Sequence, residues 1–557
     1  MQPIPLANLW PSGDLYRRAL LNYDRLELPD YQLPAAFRPF EYDWPGDAEG
    51  RLLMALILLA QAIHREPKYL SDLLAELPRH LNEKGYLGPI LPDGVFAEQQ
   101  FSGHGWMLRA FCELYLWRQD PALLAMIERM LRGLALPARG YYKLYPSQPE
   151  QRVFHGEAIG HAGRHLAGHW YPSTDIGCAF TMIDGASQVY QLLPSPELAD
   201  LLEEMIASYA AIDIRHLSFQ THSTLSALRG VLRYYGLVGR AQDLALVRRV
   251  YALYRAEATT ENYANYNWFG RPTWTEPCAI IDSFIVAHQL WQYTGEIGYL
   301  EDAQRILYNG MAYGQRPNGG YDCDICAGAD TPYLAPKVDT FEAPWCCTMR
   351  GGEGLARAIE FSHLLDSDRL YLPYYGSALA AVPFADGELW LEQRSDYPHS
   401  DRVQIEVVRD GPPTPKTLCL FIPSWAKSEQ VLLHLNETQI AVGATGAFVP
   451  IERLWQAGDR ITLELAYGAR REPTINRHSL AGQHSFWYGP LLLGISHQDQ
   501  PLVLAPDVNL QPLGAGRFQV AETEHILAPT DDLYSLPTSA ALRDRRQVLF
   551  PDGGACG

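Results

Sequence analysis

Two adjacent thiols stand in the run Ala343-Pro344-Trp345-Cys346-Cys347-Thr348-Met349-Arg350, and a third follows a carboxylate in Glu276-Pro277-Cys278. Thiolate sulfur and carboxylate oxygen together suit zinc, so Glu276, Cys278, Cys346 and Cys347 could make a four-ligand site. Residues two apart in an extended segment point the same way, which would let Glu276 and Cys278 share one ion. Both pieces lie just before helical sequence. Pro277 suits a first helical turn, and the positive end of a helix favours a thiolate. A capping Glu276 and a packed pair of thiols are the plain alternatives. Cys323-Asp324-Ile325-Cys326 competes, because a C-x2-C with Cys346-Cys347 would make an all-thiol structural zinc site. Cys112, Cys178 and Cys419 read as small buried apolar residues, and Cys556 belongs to a polar, Gly-rich tail.

Two histidines stand at expected helix starts, in Gly103-His104-Gly105-Trp106 and Thr221-His222-Ser223. Helices that begin at one rim of a barrel would aim both rings into one pocket. His155, His161, His165 and His169 match no tight metal motif and read as a polar loop facing substrate.

These groups need a scaffold. Helical spacing recurs in pairs over 51–63 and 69–81, 103–117 and 121–134, 175–192 and 195–209, 222–235 and 240–254, and 278–294 and 297–313, with one more helix over 352–365. Gly, Pro, Asn or Asp break each pair. The repeat of about fifty residues lacks a solenoid consensus, and its loops are rich in His, Trp and Tyr. It therefore predicts a closed (α/α)6 barrel over residues 1–369. From Leu370 the pattern turns to period-two alternation, as in Glu388-Leu389-Trp390-Leu391-Glu392 and Arg402 to Val408. That predicts one or two C-terminal β-sandwich modules over 370–557, so the fold class is a multidomain α and β chain.

The 557 residues carry a formal net charge of −19. An acidic surface argues against nucleic acid or an anionic membrane as partner. The 32 Tyr and 13 Trp fit the flat amphipathic rings that sugar sites favour, although large cores use them too. Nine cysteines in so long a chain are not a disulfide framework. No secretory leader or membrane-length apolar run is visible, and the expected location is cytoplasmic.

Phe37-Arg38-Pro39, the run Trp44 to Gly50 (Trp44-Pro45-Gly46-Asp47-Ala48-Glu49-Gly50), Gly85-Tyr86-Leu87-Gly88, Gly103-His104, Glu276-Pro277-Cys278, Cys346-Cys347 and Tyr488-Gly489-Pro490-Leu491 resemble glycoside hydrolase family 127. Its best-known activity is β-L-arabinofuranosidase. The resemblance implies an (α/α)6 barrel followed by β-sandwich modules, and a zinc ion on Glu276, Cys278, Cys346 and Cys347. It implies that Cys346 is the nucleophile of a retaining glycosidase. The implied acid/base is Glu261, one residue short of the usual spacing, with Glu257 as fallback. His104 and His222, with Trp106 and Tyr263, would bind the sugar. An oligosaccharide or glycoside is the implied partner, and β-modules in such enzymes often help subunits pair into a homodimer. The chain reads as a divergent member. Thr348 follows the cysteine pair where the family commonly has proline, Glu-Pro-Cys replaces Glu-Thr-Cys, and Cys323 and Cys326 are extra. Two other readings stay open: an (α/α)6-barrel sugar isomerase or lyase using histidine, and a non-catalytic carbohydrate-binding protein with structural zinc.

Overall fold

A computed structural model describes residues 1–37, 44–152, 165–328, 331–337, 342–344, 346–475, 478–496, 500–505, 507–531 and 545–551. Arg38, Pro39, His155, His161, Trp345 and Cys556 lie outside the described residues.

The helices are α1 Gly13–Leu26, α2 Asp47–Ile63, α3 Leu70–Glu76, α4 Glu98–Arg118, α5 Pro121–Met130, α6 Met182–Leu192, α7 Pro196–Ala210, α8 Thr221–Val238, α9 Ala241–Glu257, α10 Pro277–Thr294, α11 Ile297–Arg305, the single turn α12 Ala312–Gly314, and α13 Cys347–Glu360. Local chemistry sets many of their ends. Asp120 accepts from the Ala122 amide and Ser195 from the Leu198 amide, each before a proline at the first helical position. Gly239 and Gly295 close α8 and α10 in the left-handed conformation.

Six helices, α2, α4, α6, α8, α10 and α13, pack in sequence, and α13 returns to α2 to close the ring. Helices α5, α7, α9 and α11 pack outside their partners as paired hairpins. The unpaired sixth helix of the sequence reading has its partner in α1, which packs on both α13 and α2. Its buried Ala19, Tyr23 and Leu26 recur at helical spacing, so the segment is amphipathic and covers the seam of the barrel.

Two of the helix starts that differ from expectation bear on the site. Helix α4 begins at Glu98, which places His104 inside the helix instead of at its opening. Helix α13 begins at Cys347, so the cysteine pair is itself the helix start, with Cys346 in the N-cap position.

Charged residues fill the middle of the ring. Arg109 of α4, Asp184 of α6, Arg229 of α8, Asp282 of α10, and Arg350 and Glu353 of α13 are all buried. Glu353 accepts from Arg109 and Arg229 at 2.7 Å each and pairs with Arg350. Asp282 pairs with Arg229 and Arg350. Asp184 faces Arg109 at 3.2 Å and Arg229 at 3.5 Å. Close approach makes the network reachable: a Cβ on Gly230 would meet the Asp184 amide at 2.4 Å, and one on Gly185 the Gly105 carbonyl at 2.5 Å.

The β region forms two sheets that share one apolar core and a third that reaches into the barrel loops. A five-stranded sheet runs Gln2–Pro3, Leu364–Asp366, Arg369–Leu372, Lys416–Ile422, Ala447–Arg453. A seven-stranded sheet runs from Thr438–Ile440 to Leu9–Pro11. Alternate residues such as Leu389, Leu391, Val403 and Ile405 bury on its inner face, with Leu418, Leu420 and Ile422 from the other sheet in the same cluster. The third sheet has eleven strands. It passes from C-terminal strands through Tyr333–Pro336 and Asp324–Ile325 to Trp274–Thr275, whose next residue is Glu276.

Removing one partner from a buried ionic network strands the others. Glu353→Gln leaves three guanidinium groups short of a carboxylate, and chemical denaturation should show a loss of about 3–5 kcal/mol. Stability should also fall under acid. Burial pushes Asp184 up, but Arg109 and Arg229 hold it well below the usual carboxylate range. A depressed carboxylate contributes stability that is present above its unfolded pKa of about 3.9 and lost as pH falls toward the folded value. Urea midpoints measured from pH 7 downward should decline most steeply below about pH 4.

Candidate metal centre

Glu276 is the extended N-cap of α10, Pro277 its first residue and Cys278 its second. Cys346 caps α13 and Cys347 starts it. Helices α10 and α13 are neighbours in the inner ring, so two helix N-termini bring the four groups together. One donor atom from each of Glu276, Cys278, Cys346 and Cys347 lies within 4.8 Å of all the others. Cys346 Sγ is 3.5 Å from Cys347 Sγ and 3.6 Å from Glu276 Oε1. Donors about 2.3 Å from a tetrahedral ion sit about 3.7 Å apart, so these spacings fit zinc.

Electrostatics supports the same fit. Burial pushes the Glu276 carboxyl well above its usual range, and Cys278 adds to it. Burial likewise raises the Cys278 and Cys347 thiols. Cys346 moves the other way, lowered by hydrogen bonds from Cys278 and Cys347. Four potential anions are crowded where water is scarce, and a divalent cation would reverse the penalty on each. Cys278 and Cys347 are completely buried, whereas Cys346 keeps 9% exposure, so Cys346 is the sulfur that something outside can reach.

The surroundings contain residues that sequence reasoning passed over. Arg51 of α2 donates to Cys278 Sγ at 3.4 Å and is fixed by Asp47 through two hydrogen bonds of 2.8 and 2.9 Å. An Asp and Arg four apart on an otherwise apolar helix was the available signal. Gln220 donates to Glu276 at 3.2 Å and accepts from Ser223 at 2.7 Å. His222 Nδ1 lies 3.7 Å from Glu276 and its Nε2 3.4 Å from Asp282, which joins the centre to the charged barrel interior. Burial, and then the charge of Arg51, push His222 well below its usual value.

Trp106 is fully buried, stacked on His222 at 5.7 Å and approached by Arg51 and Arg350 at 4.4 Å each. His104 accepts from the Leu87 amide at 2.9 Å through Nε2, and its Nδ1 donates to the Gln100 carbonyl at 2.7 Å. Both its nitrogens therefore hold the Gly85–Gly88 loop and the helix. Tyr263 is buried and accepts through its hydroxyl from Arg255 and Arg305, at 3.2 Å each. Glu261 is buried outside the four-donor cluster, accepting from the Ile475 amide at 3.2 Å and from the Ser479 hydroxyl. Its loop flanks the centre, since Asn265 and Asn267 bond to Thr275 and Trp274 just before Glu276. Glu257 faces Arg215 at 3.5 Å. His169 bonds the Gly94 carbonyl at 2.8 Å, and the half-buried His165 lies 3.4 Å from the Gln151 carbonyl. A cavity of about 1340 Å³ lies elsewhere, lined by Asp14, Arg18, Tyr397, His399 and Asp531 among others, and none of the four donors lines it.

Cys323 and Cys326 part company. Cys323 is within interaction range of Cys347, while Cys326 turns to the Asn265 carbonyl at 3.7 Å. No helix among the described residues is long and apolar enough to cross a membrane.

The sequence of residues 369–467 matches the model of the β-L-arabinofuranosidase GH127 middle domain. No curated protein matches the chain. Among solved structures, a glycoside hydrolase superposes with a TM-score of 0.72 at 15% identity, covering 99% of this chain and 98% of that one. A GH127 β-arabinofuranosidase gives 0.70 at 14%, with 99% and 98% covered. A GH127 β-L-arabinofuranosidase from Geobacillus stearothermophilus T6 gives 0.71 at 14%, with 98% and 100% covered.

The donor set predicts about one zinc per chain by elemental analysis. Cys278→Ser and Cys347→Ser should each lower that content severalfold, and stripping the ion with a chelator should lower the thermal midpoint. The match over residues 369–467 and the fold shared along nearly the whole chain agree with the resemblance to glycoside hydrolase family 127 read from the motifs.

Proposed function

We propose that this chain is a retaining exo-glycosidase that releases a terminal sugar, L-arabinofuranose or a close relative, using the Cys346 thiolate as nucleophile. The observation that carries this reading is the meeting of three thiols and a carboxylate at two inner-helix N-termini, with Cys346 the most exposed of the three sulfurs. The middle-domain match names the sugar class. Glu276, Cys278, Cys346 and Cys347 would hold zinc, which when bound supplies the positive charge that keeps cysteine sulfur deprotonated at neutral pH.

Cys346 Sγ attacks the anomeric carbon, and the bond to the leaving oxygen breaks as Glu261 gives that oxygen its proton. Glu261, now a carboxylate, takes a proton from water. The water oxygen bonds to the anomeric carbon, and the carbon–sulfur bond breaks with its electrons returning to Cys346. Two displacements retain configuration. The Ile475 amide and Ser479 hydroxyl orient the Glu261 carboxyl. Arg51 stands beside the sulfurs and offsets part of their charge. His222, stacked on Trp106 and 3.7 Å from Glu276, would bind a sugar hydroxyl. Proton transfer by His104 has less support, because backbone groups occupy both its nitrogens.

Cys346→Ala should reduce release of nitrophenol from an aryl β-L-arabinofuranoside by at least ~10³-fold while zinc content largely survives. Full activity in that variant would remove Cys346 from the chemistry. Glu261→Gln should slow substrates with poor leaving groups far more than activated aryl glycosides, which need little protonation.

A further inference from the structure

The two-residue strands Trp274–Thr275 and Asp324–Ile325 pair antiparallel, Trp274 with Ile325 and Thr275 with Asp324. Continuing that register by one position sets Cys323 across from Glu276. The Tyr321 amide donates to the Thr348 hydroxyl at 3.1 Å, which ties this segment to the start of α13 beside Cys347, and the Cys323 thiol is within interaction range of the Cys347 thiol and the Glu276 carboxyl. Its backbone is fixed on both sides: the amide donates to Asp322 at 2.8 Å, and the carbonyl accepts from Lys337 at 3.0 Å and Arg316 at 3.4 Å. Cys323 is therefore a buried thiol held at the edge of the four-donor cluster but outside it, since the mutually close set is Glu276, Cys278, Cys346 and Cys347. Neither the pairing across the sheet nor the approach to Cys347 is needed to build those four ligands.

We propose that Cys323 is a reserve sulfur donor of the centre, binding zinc in place of Cys346 whenever the Cys346 sulfur is withdrawn from the ion. This rests on the zinc-thiolate reading above. A cysteine sulfur that has bonded to carbon is a neutral thioether, and zinc favours thiolate sulfur over it. In the exchange one zinc–sulfur bond breaks and another forms. The Cys323 proton leaves to solvent, and no oxidant or reductant is needed. The ion keeps three anionic sulfurs while Cys346 is occupied. Cys326 takes no part, because its thiol points to the Asn265 carbonyl.

X-ray absorption at the zinc edge counts sulfurs at about 2.3 Å and is independent of turnover. Zinc-loaded wild type should show three. Cys346→Ala should also show three, because Cys323 fills the place, and the double variant Cys346→Ala/Cys323→Ser should show two and release zinc to a chelator at least tenfold faster. Two sulfurs in Cys346→Ala alone would overturn the proposal, and so would three in the double variant. The single variant decides the matter even if the double variant does not fold. A wild-type chain that takes up zinc but gives two sulfurs in Cys346→Ala sinks only the reserve donor. A folded wild-type chain that takes up no zinc sinks the zinc-thiolate reading as well.

Discussion

The barrel is held around a ring of opposite charges that has no access to water. Arg109, Asp184, Arg229, Asp282, Arg350 and Glu353 come from five of the six inner helices, and each cation touches a carboxylate on another helix. Burying such ions costs several kcal/mol each, and the cost is offset only when every partner is in place. Leucine packing tolerates small slides of one helix past another, and this network does not. The rotation and height of each inner helix are thereby fixed relative to its neighbours, which apolar contacts alone do less well.

That constraint positions the chemistry. The four candidate metal donors belong to the N-termini of α10 and α13, the two helices that carry Asp282, Arg350 and Glu353 one or two turns further on. Asp282 also meets His222, and Arg350 meets Trp106, on which His222 stacks. Arg51 completes the frame from α2. The charged interior and the sulfur cluster are successive layers along one axis, so a shift in the first would move the second. A tetrahedral site tolerates little of that, because a few tenths of an ångström in donor position already distort it.

How much of this could be read from the sequence follows from the range of each interaction. Helical spacing and Gly or Pro breaks are local, so four of the five expected helix pairs and the sandwich strands were legible, as was the meeting of Glu276-Pro277-Cys278 with Cys346-Cys347. Helix α1 was not, because its partner α13 lies more than three hundred residues away. The buried charges were illegible for a different reason: Arg109, Asp184 and Asp282 sit on inner faces where the pattern calls for apolar residues, and a charge normally reads as surface. The start of α4 was placed too late because Glu98, Gln99 and Gln100 look like a polar loop, although all three are buried. Cys323 looked like half of a C-x2-C chelate with Cys326. Only the register of two-residue strands, which no local pattern encodes, separates the two thiols.

The pairing of Gln2–Pro3 with Leu364 and Leu365, and of Leu9–Pro11 with Ala378 to Ala380, has a consequence for how the molecule is made. A ribosome delivers these strands early and their partners more than 350 residues later. At the usual pace of synthesis the wait lasts roughly 20–70 s. Until then the first strands have unpaired edges, and the seam covered by α1 has no α13 beneath it. The barrel cannot mature as an independent early unit. Its closure, the pairing of these first strands into the five- and seven-stranded sheets and the arrival of the cysteine pair all await residues 347–380. The nascent barrel therefore waits, open at one seam, for the helix that begins at Cys347.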